Sequence, residues 1–447
     1  MKSIQKTFFT FTPLESKVVL YPFIYIALVV LMPRNGHWGD MECWKNWSSY
    51  IFHNGLENIY SSGTDYPPLY HYILSFFAST KENEGLIRDY IYELKYITLL
   101  FEFCSIFLLF KYIAKEHRLI FFIFILLNPG FLYNNFIWGQ VDGILAFLLL
   151  ACVISLINRK NTIALFLFVL AFNFKMQSII YFPLVLFMLM YNISDFKGIK
   201  YSLYVLLAVT ALQLLIIAPF ITSDSIDKVL DVFINSVDKY PFLSMNAYNF
   251  WYWKFDKESI IIIDNVTWMN VTYKSWGLLA FFLSSIAALL PLFLICISNI
   301  FDKGVHSIKN LDLVFANAAL ITILFFFLNT QMHERYSHYA LIFLAAYFAV
   351  TNNYFPFLLA SFAYFLNMEG VLRMLNFPNY KVLLFNPNFI AGTYFSLILL
   401  LYYLIYKNSN FLQHVVHIKN SLLLKFNNST AIKMNPFYES SKNESSK

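Results

Sequence analysis

Charged residues are scarce in this chain. Asp, Glu, Lys and Arg make up 13% of its 447 residues, whereas apolar residues make up 59%; an ordinary soluble domain has about 25% charged residues. A soluble core of this length has no room for so much apolar surface, so we expect lipid to solvate part of it. The few Lys and Arg are scattered, which argues against nucleic acid as a partner.

Cysteine is scarce as well. The four cysteines, Cys43, Cys104, Cys152 and Cys296, have no spacing typical of a metal site or a redox pair. No long-range repeat is visible in the sequence, although many secondary transporters are built from inverted repeats. The chain therefore lacks the usual signatures of a zinc protein and of a repeat-built transporter.

Long apolar runs dominate what is present. A helix of roughly 20 apolar residues crosses a bilayer, and shorter helices are tolerated. We therefore expect an all-α fold, a polytopic transmembrane helical bundle of about twelve spans. The expected spans are 18–33, 91–112, 118–133, 142–157, 161–174, 176–191, 200–221, 275–298, 310–328, 338–351, 353–367 and 387–406.

The charges in the loops indicate how these spans are oriented. Cytoplasmic loops carry an excess of Lys and Arg, and an internal N-terminus places the following loop residues inside: Lys111, Lys115, Arg118, Arg159, Lys160, Lys197, Lys200, Lys303 and Lys309. The polar tail 408–447 is then cytoplasmic too. We therefore expect the N-in orientation, with these loops on the extracytoplasmic face: 34–90, 134–141, 222–274, 329–337 and 368–386.

Two stretches of the first external loop are expected to be helical without crossing the membrane. Apolar residues such as Trp44, Trp47 and Ile51 recur near helical spacing from Asp40 onward, which predicts an amphipathic interfacial helix. Residues 67–79 are apolar but short, and a crossing there would reverse the loop-charge pattern. They are interpreted as an interfacial or re-entrant helix, because the two prolines at 67 and 68 suit a helix start.

The first polar cluster, Gly39 to Glu42, follows the first span directly. Asp40 and Glu42 supply two carboxylates, of which one can act as a general base while the other orients a substrate hydroxyl. The structural alternative is that Asp40 caps the surface helix and that the helix dipole favours Glu42 near its N-terminus.

Two further aspartates stand where helices are expected to begin. Asp65 belongs to the motif DYPPL. Asp142 belongs to the motif WGQVDG, which begins at Trp138 and also contains Gln140. Helix capping accounts for either aspartate. The alternative is a polar site at the outer face, since ionisable groups at membrane depth usually line a cavity.

Cations occur in the two remaining clusters. Lys175, followed by Gln177, lies at an outer turn and is either a snorkelling anchor or a phosphate contact. His333, Glu334 and Arg335 are adjacent: Arg offers a fork of donors suited to phosphate, and His can donate to an anion or carry a proton. A Glu334–Arg335 surface pair is the structural alternative. A zinc site is disfavoured, because no HExxH motif or cysteine pair accompanies them.

Together these motifs resemble the GT-C superfamily of integral membrane glycosyltransferases. In order they are GDxE at 39–42, DYPPL at 65–69, WGQVDG at 138–143, FKxQ at 174–177 and HER at 333–335. Several are similar to those of dolichyl-phosphate-glucose-dependent glucosyltransferases of N-glycan precursor assembly, where HEK replaces HER. WGQVDG and MHERY are more similar to bacterial members, including mannosyltransferase-like ones. The resemblance covers roughly residues 18–340.

The resemblance implies a division of the chain and a chemistry. Residues 1–340 would form a GT-C-like catalytic transmembrane module, 341–407 would add C-terminal transmembrane helices, and 408–447 would be the tail. A hexose would pass, with inversion, from a polyprenyl-phosphate donor to a lipid-linked glycan or other acceptor on the extracytoplasmic face. The aromatic loop 222–274 would wall the site, although its Tyr and Trp are equally ordinary at a membrane interface.

The resemblance also implies roles for individual residues. Asp40 would be the catalytic base, with Glu42 as the second catalytic carboxylate. The residues expected to bind substrate are Asp65, Gln140, Asp142, Lys175, Gln177, His333, Glu334 and Arg335. Oligosaccharyltransferase-like members bind a divalent metal, which Asp40, Glu42 and Asp142 could mimic. The nearer relatives imply no metal and no other cofactor.

The alternative function is a flippase or transporter for a polyprenyl lipid or glycolipid. Such a protein would also be helical, aromatic and sparsely charged, but transport gives no reason for collecting carboxylates and cations on one face. In either case membrane lipid is a partner. We expect an integral multi-pass protein of a bacterial inner membrane or, in a eukaryote, of the endoplasmic reticulum.

Overall fold

The computed structural model describes residues 13–192, 196–223, 225–235, 238–301 and 310–421. This part of the chain is mostly helical, with strands of two residues only, which confirms the all-α fold class. Five helical segments are long and apolar enough to cross a membrane, or six if one bent helix pair is counted as a single span. The five are Leu203–Thr222, Tyr273–Ser298, Leu311–Leu328, Phe355–Leu372 and Pro387–Asn408.

Two of these segments present apolar side chains outward. Leu215 on Leu203–Thr222 is 70% exposed, and Ile286 on Tyr273–Ser298 is 63% exposed. Large continuous apolar surfaces are rare on soluble monomers and mark contact with a membrane or a partner. Leu311–Leu328, by contrast, is buried along most of its length and lies at the centre of the bundle.

The other expected spans are also helical, but several of their helices are short. A helix of 14 residues such as Asn161–Phe174 is about 21 Å long, less than the roughly 30 Å of a hydrocarbon core. The number of spans therefore remains a prediction. The helices in these segments are Pro13–Leu31, Leu94–Leu109, Arg118–Leu126, Asp142–Ile157, Asn161–Phe174, Phe182–Asn192 and His338–Thr351.

The expected single span 118–133 is wrong in its geometry. The helical stretch Lys115–Leu126 ends before Pro129, and a second stretch, Pro129–Trp138, continues at an angle of 58°. Proline has no N–H and favours the first position of a helix. The side chain of Asn128 caps the second stretch by accepting hydrogen bonds from the backbone N–H groups of Gly130 and Phe131. This break carries the chain to a buried Trp138.

The segment expected to form the first external loop folds into four short helices, Trp38–Asn54, Leu56–Ser62, Pro68–Ser79 and Glu84–Asp89. The predicted helix after Asp40 and the start at Pro68 are confirmed. The apolar face of the first helix packs against the protein: the Trp44 ring lies 5.2 Å from Tyr66 and 4.8 Å from Tyr70, measured between ring centroids. Trp44 is therefore buried among the helices of its own loop, and Tyr70 in turn contacts Phe174 of the helix Asn161–Phe174, at 5.7 Å between ring centroids.

Two short strand pairs lie in segments that connect the later helices. Ser244–Met245 pairs in parallel with Met332–His333, and Thr267–Trp268 pairs antiparallel with Val271–Thr272. The first pair ties the long loop after the helix Ile226–Asn235 to the segment that carries the HER motif. The loop thus lies beside this motif, as expected of a wall.

The expected division at residue 340 does not coincide with a break in the structure, because it falls inside the helix His338–Thr351. The later helix Phe355–Leu372 is bonded to earlier parts of the chain: Glu369 accepts from the hydroxyl of Tyr133, and Asn367 accepts from the backbone N–H of Tyr248. Of the expected cytoplasmic cations, Lys303 and Lys309 lie outside the described residues, as does the tail beyond residue 421.

Candidate active site

Asp40 lies inside a helix, and it does not cap it. The helix begins at Trp38, and His37 occupies the capping position before it. The carboxylate of Asp40 instead takes two hydrogen bonds on Oδ2, at 2.9 Å from Nδ1 of His37 and at 2.6 Å from Nε1 of Trp138. The capping interpretation of Asp40 is therefore wrong, and its side chain is fixed toward Trp138, at the end of the helical stretch Pro129–Trp138.

The same indole also meets Arg335. The guanidinium lies 5.2 Å from the centroid of the Trp138 ring and 5.5 Å from that of Tyr336, both within cation–π range. Its one acceptor among the described residues is Glu334, at 3.5 Å, although arginine has five N–H donors. Arg335 is thus held in position by aromatic faces and retains most of its hydrogen-bonding capacity.

Charge and burial shift the pKa values of these groups. Burial alone would raise the pKa of Asp40, but Arg335 and the hydrogen bonds from His37 and Trp138 outweigh it and hold the pKa well below its usual range. Burial and the neighbouring Arg335 lower the pKa of His333 well below its usual value, so its imidazole is neutral near pH 7. Burial raises the pKa of Glu334. The site therefore holds one firmly ionised carboxylate beside one cation.

Asp142 and Lys175 form a second, deeper pair. Lys175 donates to Oδ1 of Asp142, which is fully buried, and Tyr339 donates to the same oxygen at 3.0 Å. Asn134 donates to Oδ2 at 3.2 Å. The side chain of Lys175 is only 6% exposed, so the snorkelling interpretation is wrong. The chain leaves its helix at Lys175 in an extended conformation, which turns the ammonium inward.

Asp142 also is not a helix cap. Val141 occupies that position, and Asp142 is the first residue of the helix Asp142–Ile157. Just before it, Gly139 adopts φ +91°, a left-handed conformation that favours glycine, and a Cβ there would meet the side chains of Met41 and Lys95 at 2.9 and 3.0 Å. Gly139 therefore forms a tight turn that packs against protein. Gln140 is fully buried, and its side-chain amide has no partner among the described residues.

His333 connects the site to the strand pair. Its ring lies 5.5 Å from Tyr240 and 5.2 Å from Tyr336, between centroids, and its backbone is in register with Met245. Trp251, in the same loop as Tyr240, has a different role. Trp251 is buried and donates to the backbone of Leu328 at 2.7 Å, so it serves packing.

Three expected site residues lie apart from this cluster. Glu42 points to an exposed face, where it pairs with Arg88 and, at 3.5 Å, with Lys45. Asp65 pairs with Lys239 near the surface and caps no helix, because Pro67 precedes the helix that begins at Pro68. Gln177 is half-buried and has no hydrogen bond or ion pair in the described part of the chain.

Sequence reasoning missed the aromatic and histidine partners that fix the charged groups. Trp138 was part of a quoted motif but was assigned no role, and His37 and Tyr339 were not singled out. The position of Trp138 next to Gly139 was the available signal, because a buried indole N–H needs an acceptor. Glu102, in the helix Leu94–Leu109, is fully buried and accepts from Asn135 at 3.2 Å.

A metal site does not assemble from the described residues, in which no three His, Cys, Asp or Glu side chains come together as ligands. Asp40, Glu42 and Asp142, the set that could mimic a metal site, are held by different partners. Comparison with known proteins adds no assignment: no family model matches the chain, and no curated protein matches it at a significant level.

Proposed function

We propose that this protein is a membrane glycosyltransferase that takes a hexose from a polyprenyl-phosphate donor. The observation that carries the proposal is the convergence of Asp40 and Arg335 on one indole, that of Trp138. A base for an acceptor hydroxyl and a cation for a leaving phosphate are thus set side by side by residues from three distant segments. The motif resemblance to the GT-C superfamily supports the same reading.

The proposed reaction is a direct displacement. The acceptor hydroxyl gives its proton to Asp40 while its oxygen forms a bond to the anomeric carbon. The bond from that carbon to the phosphate oxygen breaks on the opposite face, and the electron pair leaves with the polyprenyl phosphate, so the configuration inverts. Arg335 stabilises the departing phosphate by charge-assisted hydrogen bonds, and neutral His333 donates one more.

The low pKa of Asp40 fits this order of events. A carboxylate with a strongly lowered pKa is a weak base. A donor phosphate bound to Arg335 offsets the cation that lowers the pKa of Asp40, and so raises the basicity of Asp40 when the donor is in place. Proton removal from the acceptor is thereby coupled to donor binding.

Asp142 and Lys175 act as a buried support in this proposal. The charge of Lys175 is already compensated by Asp142, so Arg335 is the better phosphate ligand. The pair also holds Tyr339, which lies at the start of the helix that follows the HER motif. The supporting role of the pair is therefore to fix that helix relative to Trp138.

A membrane orientation completes the proposal. With the N-terminus in the cytoplasm and about twelve spans, Asp40, Asp142 and Arg335 lie at the extracytoplasmic face, where a lipid-linked donor can reach them. The acceptor is then a lipid-linked glycan or another glycan of that compartment, and the membrane is a bacterial inner membrane or an endoplasmic reticulum membrane.

A donor screen tests this function. Purified protein in lipid nanodiscs is incubated with polyprenyl-phosphate glucose or mannose and a lipid extract that supplies acceptors. Release of free polyprenyl phosphate that depends on the extract supports a transferase. Intact donors in every incubation contradict it.

A transporter of polyprenyl lipids is the second candidate, and one observation favours it. Transporter sites are often built from broken helices, and the bent pair Lys115–Leu126 and Pro129–Trp138 ends at the candidate site. Movement of a fluorescent polyprenyl phosphate across a proteoliposome bilayer, without donor cleavage, would select this function over transfer.

A further inference from the structure

A second group of buried polar atoms lies directly behind Arg335. His338 follows it by one turn of chain, and its backbone N–H donates to the carbonyl of Arg335 at 3.0 Å. The His338 ring is 1% exposed, and neither ring nitrogen has a partner among the described residues. The Nε of Arg335 is also buried and has no hydrogen-bond partner in the described part of the chain.

Tyr364 faces this histidine from another helix. The two ring centroids are 5.5 Å apart, and Tyr364 is fully buried with a hydroxyl that has no partner in the described chain. Phe131 stacks on the other side of His338 at 5.8 Å between centroids and gives the group one apolar face.

Tyr364 differs from most other fully buried tyrosines of the described residues. The hydroxyls of four others have hydrogen-bond partners: Glu369 for Tyr133, Thr322 for Tyr181, Asp142 for Tyr339 and Ser337 for Tyr394. The hydroxyl of Tyr70, like that of Tyr364, has no partner among the described residues. Buried polar groups nearly always have hydrogen-bond partners, and leaving one without a partner is destabilising. Two such side chains in contact, one turn from a phosphate-binding cation, therefore point to a ligand.

We propose that His338 and Tyr364 form a neutral subsite that binds hydroxyl groups of the donor's sugar; this inference rests on the proposed function. A neutral imidazole offers one donor and one acceptor, and a phenol offers both, which matches sugar hydroxyls and does not suit a second anion. A sugar joined to a phosphate on Arg335 extends by one ring from that phosphate, into the reach of these two residues. The subsite then selects which sugar is transferred.

Substitutions that remove only the polar atoms test the subsite. Tyr364→Phe and His338→Phe keep the rings and the packing. Because each removes polar atoms without partners, the apparent unfolding temperature of the ligand-free protein should be unchanged or higher. The KM for polyprenyl-phosphate glucose or mannose, whichever wild type uses, should rise by about 3- to 10-fold, the loss of one hydrogen bond.

Deoxygenated donors sharpen this test. Wild type should lose efficiency with the analogue that lacks one particular hydroxyl, and Tyr364→Phe or His338→Phe should use that analogue and the parent sugar equally well. Tyr181→Phe is the matched control, because its hydroxyl bonds to Thr322: it should lower the unfolding temperature and leave donor KM and discrimination unchanged.

Two outcomes would overturn the inference, and they are distinguishable. If wild type uses the donors but both variants keep its KM and its discrimination, the atoms serve internal water or packing and the subsite is refuted, while the transferase stands. If wild type neither binds nor cleaves either donor, the proposed function fails, and the subsite fails with it.

Discussion

Trp138 donates a 2.6 Å hydrogen bond from its indole nitrogen to Oδ2 of Asp40, 98 residues earlier in the chain. The same ring lies under the guanidinium of Arg335. One side chain thus sets the position and the charge environment of a carboxylate and of a cation. The chemistry proposed for this site depends on that arrangement.

Trp138→Phe should shift the pH dependence of activity. Phe keeps an aromatic face under Arg335 but removes the hydrogen bond that stabilises ionised Asp40, so the pKa of Asp40 should rise toward its usual range. On acidification a base with a higher pKa becomes protonated sooner. The acid limb of kcat/KM against pH should therefore move to higher pH than in wild type.

The control for this substitution is Trp44→Phe, which lies on the same helix as Asp40 and whose indole nitrogen has no partner among the described residues. It should leave the acid limb in place. An acid limb that is identical in wild type and Trp138→Phe would show that the hydrogen bond from the indole does not affect the ionisation of the base.

Arg335→Lys should impair use of the donor. Lysine keeps the charge but lacks the planar fork that stacks on Trp138 and Tyr336 and can bind two phosphate oxygens. A lost charge-assisted hydrogen bond corresponds to about 1.5–3 kcal/mol, so the donor KM should rise by about tenfold or more with little change in acceptor KM. Arg88→Lys, at an exposed ion pair, should change neither constant. A wild-type donor KM in Arg335→Lys would exclude this arginine from the phosphate site.

The buried pair of Asp142 and Lys175 should show strong energetic coupling. Asp142→Asn or Lys175→Met alone leaves one buried charge without compensation, which should lower the free energy of unfolding by about 3–5 kcal/mol. The double variant should lose less than the sum of the two losses, measured by reversible denaturation in mixed micelles. Lys274→Met, at an exposed pair with Asp238, should cost at most about 1 kcal/mol. Strict additivity in the Asp142–Lys175 cycle would mean that the two side chains do not interact.

Glu42→Gln should leave activity within about threefold of wild type. Glu42 is committed to Arg88 and Lys45 on an exposed face, and such surface pairs contribute about 0–1 kcal/mol. Initial rates at saturating donor give the comparison. A loss as large as that expected for Asp40→Asn would transfer the role of base to Glu42.

Helical segments could be predicted from apolar runs because a bilayer demands continuous helices of a given length. The helix start at Pro68 could be predicted from local chemistry, because the N–H that proline lacks has no partner at the first position of a helix. The break at Pro129 was also visible in the residues, since proline interrupts a helix, but the long apolar run around it outweighed that signal.

The roles of individual side chains were less predictable. Asp40, Asp65 and Asp142 all had the sequence context of helix caps, yet their side chains bond to Trp138, Lys239 and Lys175, which lie far away in the chain. Local propensity does not contain these tertiary partners. Lys175 illustrates the same limit, because its buried partner, Asp142, lies 33 residues earlier in the chain.

The most direct test of the account is the rate of polyprenyl phosphate release by purified Asp40→Asn protein at saturating donor and acceptor. Asn keeps the shape of the side chain but cannot take a proton, so the rate should fall by about 100-fold or more, while donor binding and the unfolding transition are retained. Glu84→Gln, an exposed carboxylate paired with His53 in the same external loop, should keep the wild-type rate. A folded Asp40→Asn protein that releases polyprenyl phosphate at the wild-type rate would contradict the assignment of Asp40 as the base.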